Sequence, residues 1–254
     1  MKSKLLLAAS LAVMVTAGGV ALAKPDANQM AAVADKNRPA NDMAADANRK
    51  PAEMLEFAGV KQGQTVVDLI PGGGYFTRLF SKAVGPKGTV YAVGGPQRPP
   101  QDPAKPPPKQ AQDQIAEDPN YSNVKSLHLP LQSGLSLPTK ADIVWTAQNY
   151  HDLKNVPNLD MTAFNKSVFD SLKPGGVYIV LDHVANPNTP NVTSTLHRID
   201  PAVVKEEVTK AGFKYEGESK ALANPADDHT TRSTADGPLR HKTDQFILKF
   251  RKPK

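Results

Sequence analysis

Two hydrophobic periods alternate along the chain from Pro51 onward. Met54, Leu55 and Ala58 recur at helical spacing after Pro51, and Gly59 stops the run, so the sequence predicts a short amphipathic helix there. Thr65 to Ile70 is a β-branched run with the character of a buried strand. Tyr75, Phe76, Leu79, Phe80 and Ala83 return to helical spacing up to Val84, and Gly85-Pro86-Lys87-Gly88 closes that helix. Thr89 to Val93 is the next strand, and further strands are predicted at Val124 to Leu129, Asp142 to Thr146 and Val177 to Leu181. A short polar helix near Gln110 to Glu117 and a longer one at Leu159 to Leu172 lie between them. Asp200-Pro201 pairs an N-cap with proline at the first helical position, and the helix runs to Ala211 before Gly212. Phe213 to Ser219 and Gln245 to Phe250 close the chain as two strands across a long polar loop. Strand and helix in alternation specify a parallel, doubly wound α/β sheet.

Outside that pattern lie three segments. Gly94 to Lys109 holds Pro99-Pro100 and Pro106-Pro107-Pro108, which exclude a helix or central strand and leave an extended loop. Residues 24–48 are rich in Ala, Asn, Asp and Met with no clear period, and are expected to form a loosely ordered arm, with helix allowed only where it nears the body, outside the core of a domain spanning 49–254. The first 23 residues read as an export signal. Lys2 and Lys4 precede an apolar run from Leu5 to Val15, and Ala21-Leu22-Ala23 supplies the cleavage pattern. Gly18, Gly19 and the polar Lys24-Pro25-Asp26 end the run short of the ~18–20 residues of a membrane span. The expected product is a bacterial periplasmic or secreted protein with no membrane span after cleavage following Ala23.

Composition narrows the chemistry. Hydrophobic residues make up 39% and charged residues 22%, enough to bury one sizeable core without reading as disordered. The absence of cysteine excludes disulfides, thiolate metal sites and a cysteine nucleophile. The net charge of +6 is modest, and its lysines and arginines are interleaved with acids except at Lys249, Arg251, Lys252 and Lys254. With no basic face to be expected, nucleic acid is not assigned as a partner. A small-molecule substrate is expected instead, and the sequence assigns no oligomeric state.

Asp68-Leu69-Ile70-Pro71-Gly72-Gly73-Gly74-Tyr75-Phe76-Thr77 joins a strand end, a glycine turn and a helix start. Bare backbone at a helix amino terminus suits a nucleotide-like cofactor. A dinucleotide fingerprint fits less well, because Gly72-x-Gly74-x-x-Thr77 lacks the third glycine and no acid ends the second strand. With Phe57-Ala58-Gly59-Val60, Asn149-Tyr150-His151-Asp152, Leu172-Lys173-Pro174-Gly175-Gly176, His197-Arg198-Ile199-Asp200 and Lys242-Thr243-Asp244, this turn resembles the class I S-adenosylmethionine-dependent methyltransferases, within them a group of exported members, over about residues 49–252. The resemblance implies a Rossmann-like seven-stranded sheet ending in an antiparallel hairpin. It also implies S-adenosylmethionine as cofactor, held by Asp68, Pro71, Gly72, Gly73, Gly74 and Tyr75. The chain departs from the family pattern twice. Ile70 stands at the first glycine place of the turn, and Gly94-Gly95-Pro96 follows the second strand where a carboxylate normally takes the ribose hydroxyls. Asp102 folding back from the proline loop is one replacement for that acid, and loss of the cofactor is the other reading.

Working groups in an open parallel sheet gather at the carboxyl ends of the strands. His151 after the fourth strand, His183 with Asp182 at the end of the fifth, and His197 on the following loop all map there. Imidazole titrates near neutrality, so His151 is the first candidate base, with His183 second and Asp182 as a partner carboxylate. Asn149, Tyr150, Asp152, His197 and Arg198 are the candidate substrate contacts, Arg198 for an anionic group. His151, Asp182, His183 and His197 are also permissible ligands for a divalent metal in a hydrolase, but none shows i, i+4 spacing, and no metal is assigned. The rival to an enzyme is a non-catalytic ligand- or partner-binding protein on the same scaffold, since fold does not fix function.

Overall fold

The computed structural model describes residues 24–254 apart from 98, 101, 103, 235, 236 and 240, so the export signal lies outside the described residues. Helices α1 (Ala27–Val33), α2 (Ala40–Arg49) and α3 (Pro51–Ala58) precede strand β1 (Thr65–Leu69). Helix α4 (Tyr75–Val84), β2 (Thr89–Gly94), α5 (Ala111–Glu117), β3 (Val124–His128) and β4 (Ala141–Ala147) follow. The chain continues through α6 (Tyr150–Leu153), α7 (Met161–Ser171), β5 (Leu172–His183), α8 (Val192–Thr195), α9 (Pro201–Lys210), β6 (Lys214–Ser219) and β7 (Gln245–Arg251). The seven strands form one sheet in the order β3-β2-β1-β4-β5-β7-β6. Strands β1 to β5 pair in parallel, and β7 runs antiparallel to both β5 and β6. This is the doubly wound sheet with a carboxyl-terminal antiparallel hairpin expected from the sequence.

Alternation along each strand sorts the core into two layers. Val66, Val90, Ile143, Trp145 and Ile179 pack with α3 and α4 on one face. Val67, Tyr91, Val144, Tyr178 and Leu248 pack with α7 and α9 on the other. Burying both faces explains why these strands read as continuous apolar runs.

Residues 24–48 are corrected from a loose arm to two packed helices. Asp26 caps α1, accepting from Asn28 and Gln29 amides, and Gln29 answers with a reciprocal bond. Ala32 enters the core, while the buried Gln29 carboxamide donates to the Val60 carbonyl at 3.0 Å. Arg38 ties α1 to α2 through the Val33 carbonyl and the Asp46 carboxylate. Asp42 and Asp46 then take Arg78 and the Tyr75 hydroxyl of α4. Polar pairs rather than an apolar stripe dock these helices, which is why hydrophobic spacing does not predict them. A second difference is smaller: β5 begins at Leu172, so Lys173-Pro174-Gly175-Gly176 belongs to a strand whose register with β4 shifts between Ala141 and Ile143.

Candidate active site

The turn from β1 to α4 climbs through three left-handed residues, Ile70 (φ 56°), Gly72 (φ 56°) and Gly74 (φ 80°). Glycine enters that region freely, whereas a β-branched residue pays roughly 1–2 kcal/mol. Ile70 therefore holds, under strain, a backbone shape that glycine adopts freely. Its carbonyl accepts from the Asn149 side-chain amide at 2.9 Å. Gly74 has no room for a side chain, because a Cβ there would meet Ile115 Cδ1 at 2.0 Å. Gly72 and Gly73, by contrast, face open space.

That space is a cavity of about 620 Å³ bounded by α2, the turn and the end of β4. Arg49, Asp68, Gly72, Gly73, Tyr75 and Asn149 line it. Asp68 is 3% exposed and accepts from the Thr77 hydroxyl at 2.6 Å. Burial raises its carboxyl to about 6, although the Thr77 hydrogen bond and Arg49 both pull the other way. The Arg49 guanidinium lies 4.5 Å from the Tyr75 ring centroid, and burial lowers its pKa. The half-buried guanidinium makes no hydrogen bond to a described residue and lines the cavity with its donors turned to it.

A second cavity of about 410 Å³ abuts the first, sharing Arg49, Gln148 and His241. His151, His183 and His197 converge on it. The Asp182 carboxylate, fully buried, organises the wall: it accepts from the His151 amide (2.9 Å), the His151 Nδ1–H (2.7 Å) and the His183 amide (2.7 Å). The far nitrogen of His151, Nε2, lies 3.3 Å from Asp152 Oδ1 and 3.4 Å from His197 Nδ1. Asp152 Oδ1 is in turn 3.4 Å from His197 Nδ1. Burial alone would lower the His151 pKa, but Asp182 and Asp152 outweigh it and raise the group to about 10. His183, bonded through Nδ1 to the Thr243 hydroxyl, is pushed down to about 4 by burial. At neutral pH one ring is an imidazolium and its neighbour, 6.1 Å away between centroids, is neutral. His197 reaches the cluster from a left-handed backbone (φ 51°).

Of the sequence-predicted residues, the structure gathers Asp68, Pro71, Gly72, Gly73, Tyr75 and Asn149 at the first cavity. It gathers His151, Asp152, His183 and His197 at the second. Two candidate substrate contacts are placed elsewhere. The Tyr150 side chain turns into the core, its hydroxyl donating to Glu207 at 2.9 Å and accepting from Asn165 at 2.8 Å. Arg198 is fully buried in a bidentate pair with Asp227 (2.9 and 3.0 Å) and donates to the Val184 and Thr231 carbonyls. It anchors the His197 loop, and with its charge paired and four of its five N–H donors spent inside the protein it is not placed to hold an anionic substrate. Asp102 does not fold back to β2 either; it accepts from the Ala104 amide in its own turn and lies near Lys105. Past Gly94 the chain places Gln112 instead. The carboxamide nitrogen of this buried residue sits 2.2 Å from where a Gly94 Cβ would be, so any side chain at 94 would displace the Gln112 carboxamide. Gln148 and His241 carry no motif, and Arg49 is marked only as part of Arg49-Lys50-Pro51, so the fold alone reveals their place at these cavities and that of Gln112 in a neighbouring cavity that shares Ile70, Pro71 and Gly72 with the first.

No protein-family model and no curated protein matches the chain. Solved structures match its fold. A SAM-dependent methyltransferase from Aquifex aeolicus superposes with TM-score 0.57 at 18% identity, over 85% of this chain and 99% of that one. An arsenic(III) S-adenosylmethionine methyltransferase from Chlamydomonas reinhardtii gives 0.52 at 17%, over 91% and 74%. A TehB-like SAM-dependent methyltransferase from Corynebacterium glutamicum gives 0.50 at 13%, over 85% and 100%. The chain has the class I methyltransferase fold.

Proposed function

We propose that the protein is an S-adenosylmethionine-dependent methyltransferase acting on a small molecule. The observation that carries this reading is the pair of abutting cavities, one on the glycine turn and one on the strand-end histidines, joined at Arg49 and Gln148. A cofactor in the first would face an acceptor in the second, which is the proximity that methyl transfer needs. The residues present fit the group. Open backbone at Gly72 and Gly73 accommodates its nucleoside end, and the unspent donors of Arg49 suit its carboxylate. Gln110 and Gln112, beside Gly94, offer amide groups for ribose hydroxyls where the carboxylate is missing. Bound S-adenosylmethionine would supply an electrophilic methyl group.

In the acceptor cavity the neutral His183 is the ring able to take a proton from a substrate hydroxyl or amine. His151, protonated between Asp182 and Asp152, serves as a fixed positive charge and donor at neutral pH rather than as the base. The lysine-flanked apolar run and Ala21-Leu22-Ala23 support export to the periplasm or medium. A scaffold that binds a ligand without catalysis remains the second reading, favoured by Ile70 and by the missing acid after Val93.

Isothermal titration with S-adenosylmethionine and S-adenosylhomocysteine tests the cofactor site. Gly73 is the position to substitute, because it has no positive φ and open space around its missing Cβ. Gly73→Arg is expected to abolish micromolar binding without loss of fold. Absence of binding by the unsubstituted protein at millimolar ligand would overturn the methyltransferase reading.

A further inference from the structure

We infer that His151, His197 and Asp152 form a binding site for one divalent transition-metal ion of the zinc class, set into the wall of the second cavity. Their donor atoms, His151 Nε2, His197 Nδ1 and Asp152 Oδ1, make a nearly equilateral triangle with sides of 3.3, 3.4 and 3.4 Å. A tetrahedral ion with bonds of ~2.0–2.1 Å to nitrogen and oxygen requires donors about 3.3–3.4 Å apart. An octahedral magnesium ion, with ligands at about 2.1 Å, would need them near 3.0 Å, and it favours oxygen over imidazole. Spacing and donor type thus select the same class of ion.

The surroundings are those of a ligand set. His151 is 2% exposed, and its Nδ1–H is held by the fully buried Asp182 at 2.7 Å, which fixes the ring with Nε2 aimed at the triangle. A carboxylate behind a ligating histidine is the usual outer support of a metal site. Asp182 is thereby a positioning residue. The Arg198–Asp227 pair fixes the loop that presents His197. Without the ion, protons bridge the three donors. With it, those protons leave, and His197 carries its remaining hydrogen on Nε2. The exposed Arg232, whose Nη2 lies 2.6 Å from that Nε2, then turns out to solvent. Three protein donors leave the fourth tetrahedral position for water or a substrate heteroatom, and the same three residues line the cavity. This inference stands on the triangle alone, independent of methyl transfer.

The test is calorimetric titration of chelator-stripped protein with Zn²⁺, alongside the S-adenosylmethionine titration, so that either can fail without the other. One ion per chain is expected. His197→Ala and Asp152→Asn, both at accessible positions, should each weaken it by about tenfold or more, and Asp182→Asn by about 10–100-fold. Unchanged circular dichroism would verify folding of these variants. Arg232→Ala should bind at least as tightly as the parent, since it removes a competitor. No Zn²⁺ binding, or equal affinity in a His197→Ala/Asp152→Asn double variant, would overturn the site, as would lost affinity in Arg232→Ala.

Discussion

At the scale of single residues, the first cavity keeps groups that folding alone would not select. Asp68 is the clearest case. Its carboxyl rises from 3.8 to about 6 in the folded chain, so the native state binds the proton more tightly than the unfolded state. The resulting stabilisation is complete below about pH 4 and is lost as the pH rises through about 6, a change of about 3 kcal/mol. Asp68→Asn keeps an acceptor for the Thr77 hydroxyl and carries no charge. It is expected to be more stable than the parent at pH 8 and equal to it at pH 4, measured by urea unfolding. Identical pH slopes for the two would show that folding does not raise the Asp68 pKa. The usual reason for retaining such a group is function at the expense of stability. Ile70 is similar: its left-handed backbone is strained, and its carbonyl is used by Asn149.

Among the elements, the carboxyl ends of β4 and β5 and the loops beyond them build the histidine cavity, and one buried ion pair holds those loops. Arg198 and Asp227 are 0% and 1% exposed in their side chains and share two hydrogen bonds. Removing one partner of a buried pair leaves a charge without compensation and costs about 3–5 kcal/mol. Arg198→Met should lose that much in denaturant unfolding, and adding Asp227→Asn should restore part of it. A loss below about 1 kcal/mol would mark the pair as an exposed contact. Sequence reading placed Arg198 at the substrate because it stands beside His197. Neighbours in a chain point in different directions, and Asp227, which decides the matter, is distant in sequence. The ordered packing of helices α1 and α2 leaves no periodic signal for a related reason, since their anchors Arg38–Asp46 and Arg78–Asp42 are polar contacts.

Across the whole molecule, the sheet order places the glycine turn of β1 beside β4, so that both cavities open at one edge and share Arg49 and Gln148. The described residues contain no helix long and apolar enough to cross a membrane. A ligand that binds only the native state raises its stability by about 2.7 kcal/mol at a hundredfold excess over Kd. For a chain of this size that corresponds to a Tm rise of roughly 5–10 °C. S-adenosylhomocysteine should produce such a rise in the parent and none in Gly73→Arg. An equal rise in both would place its binding away from the turn.

The amino-acid sequence by itself determined the order of the seven strands and of the longer helices between them, the doubly wound class and the glycine turn, because hydrophobic period and backbone-permissive residues are local properties. It also named the histidines, since the ends of buried strands can be found from their apolar runs. What only the tertiary structure decided was which side chains meet. Asp182 behind His151, the triangle of His151, Asp152 and His197, Gln112 over Gly94 and Arg49 between the cavities all join segments far apart in the chain. Such contacts depend on directions and distances that exist only once the sheet is closed on both faces. The charge of each imidazole follows from them, because burial and a neighbouring carboxylate act over a few ångströms of space and leave no mark on residue order.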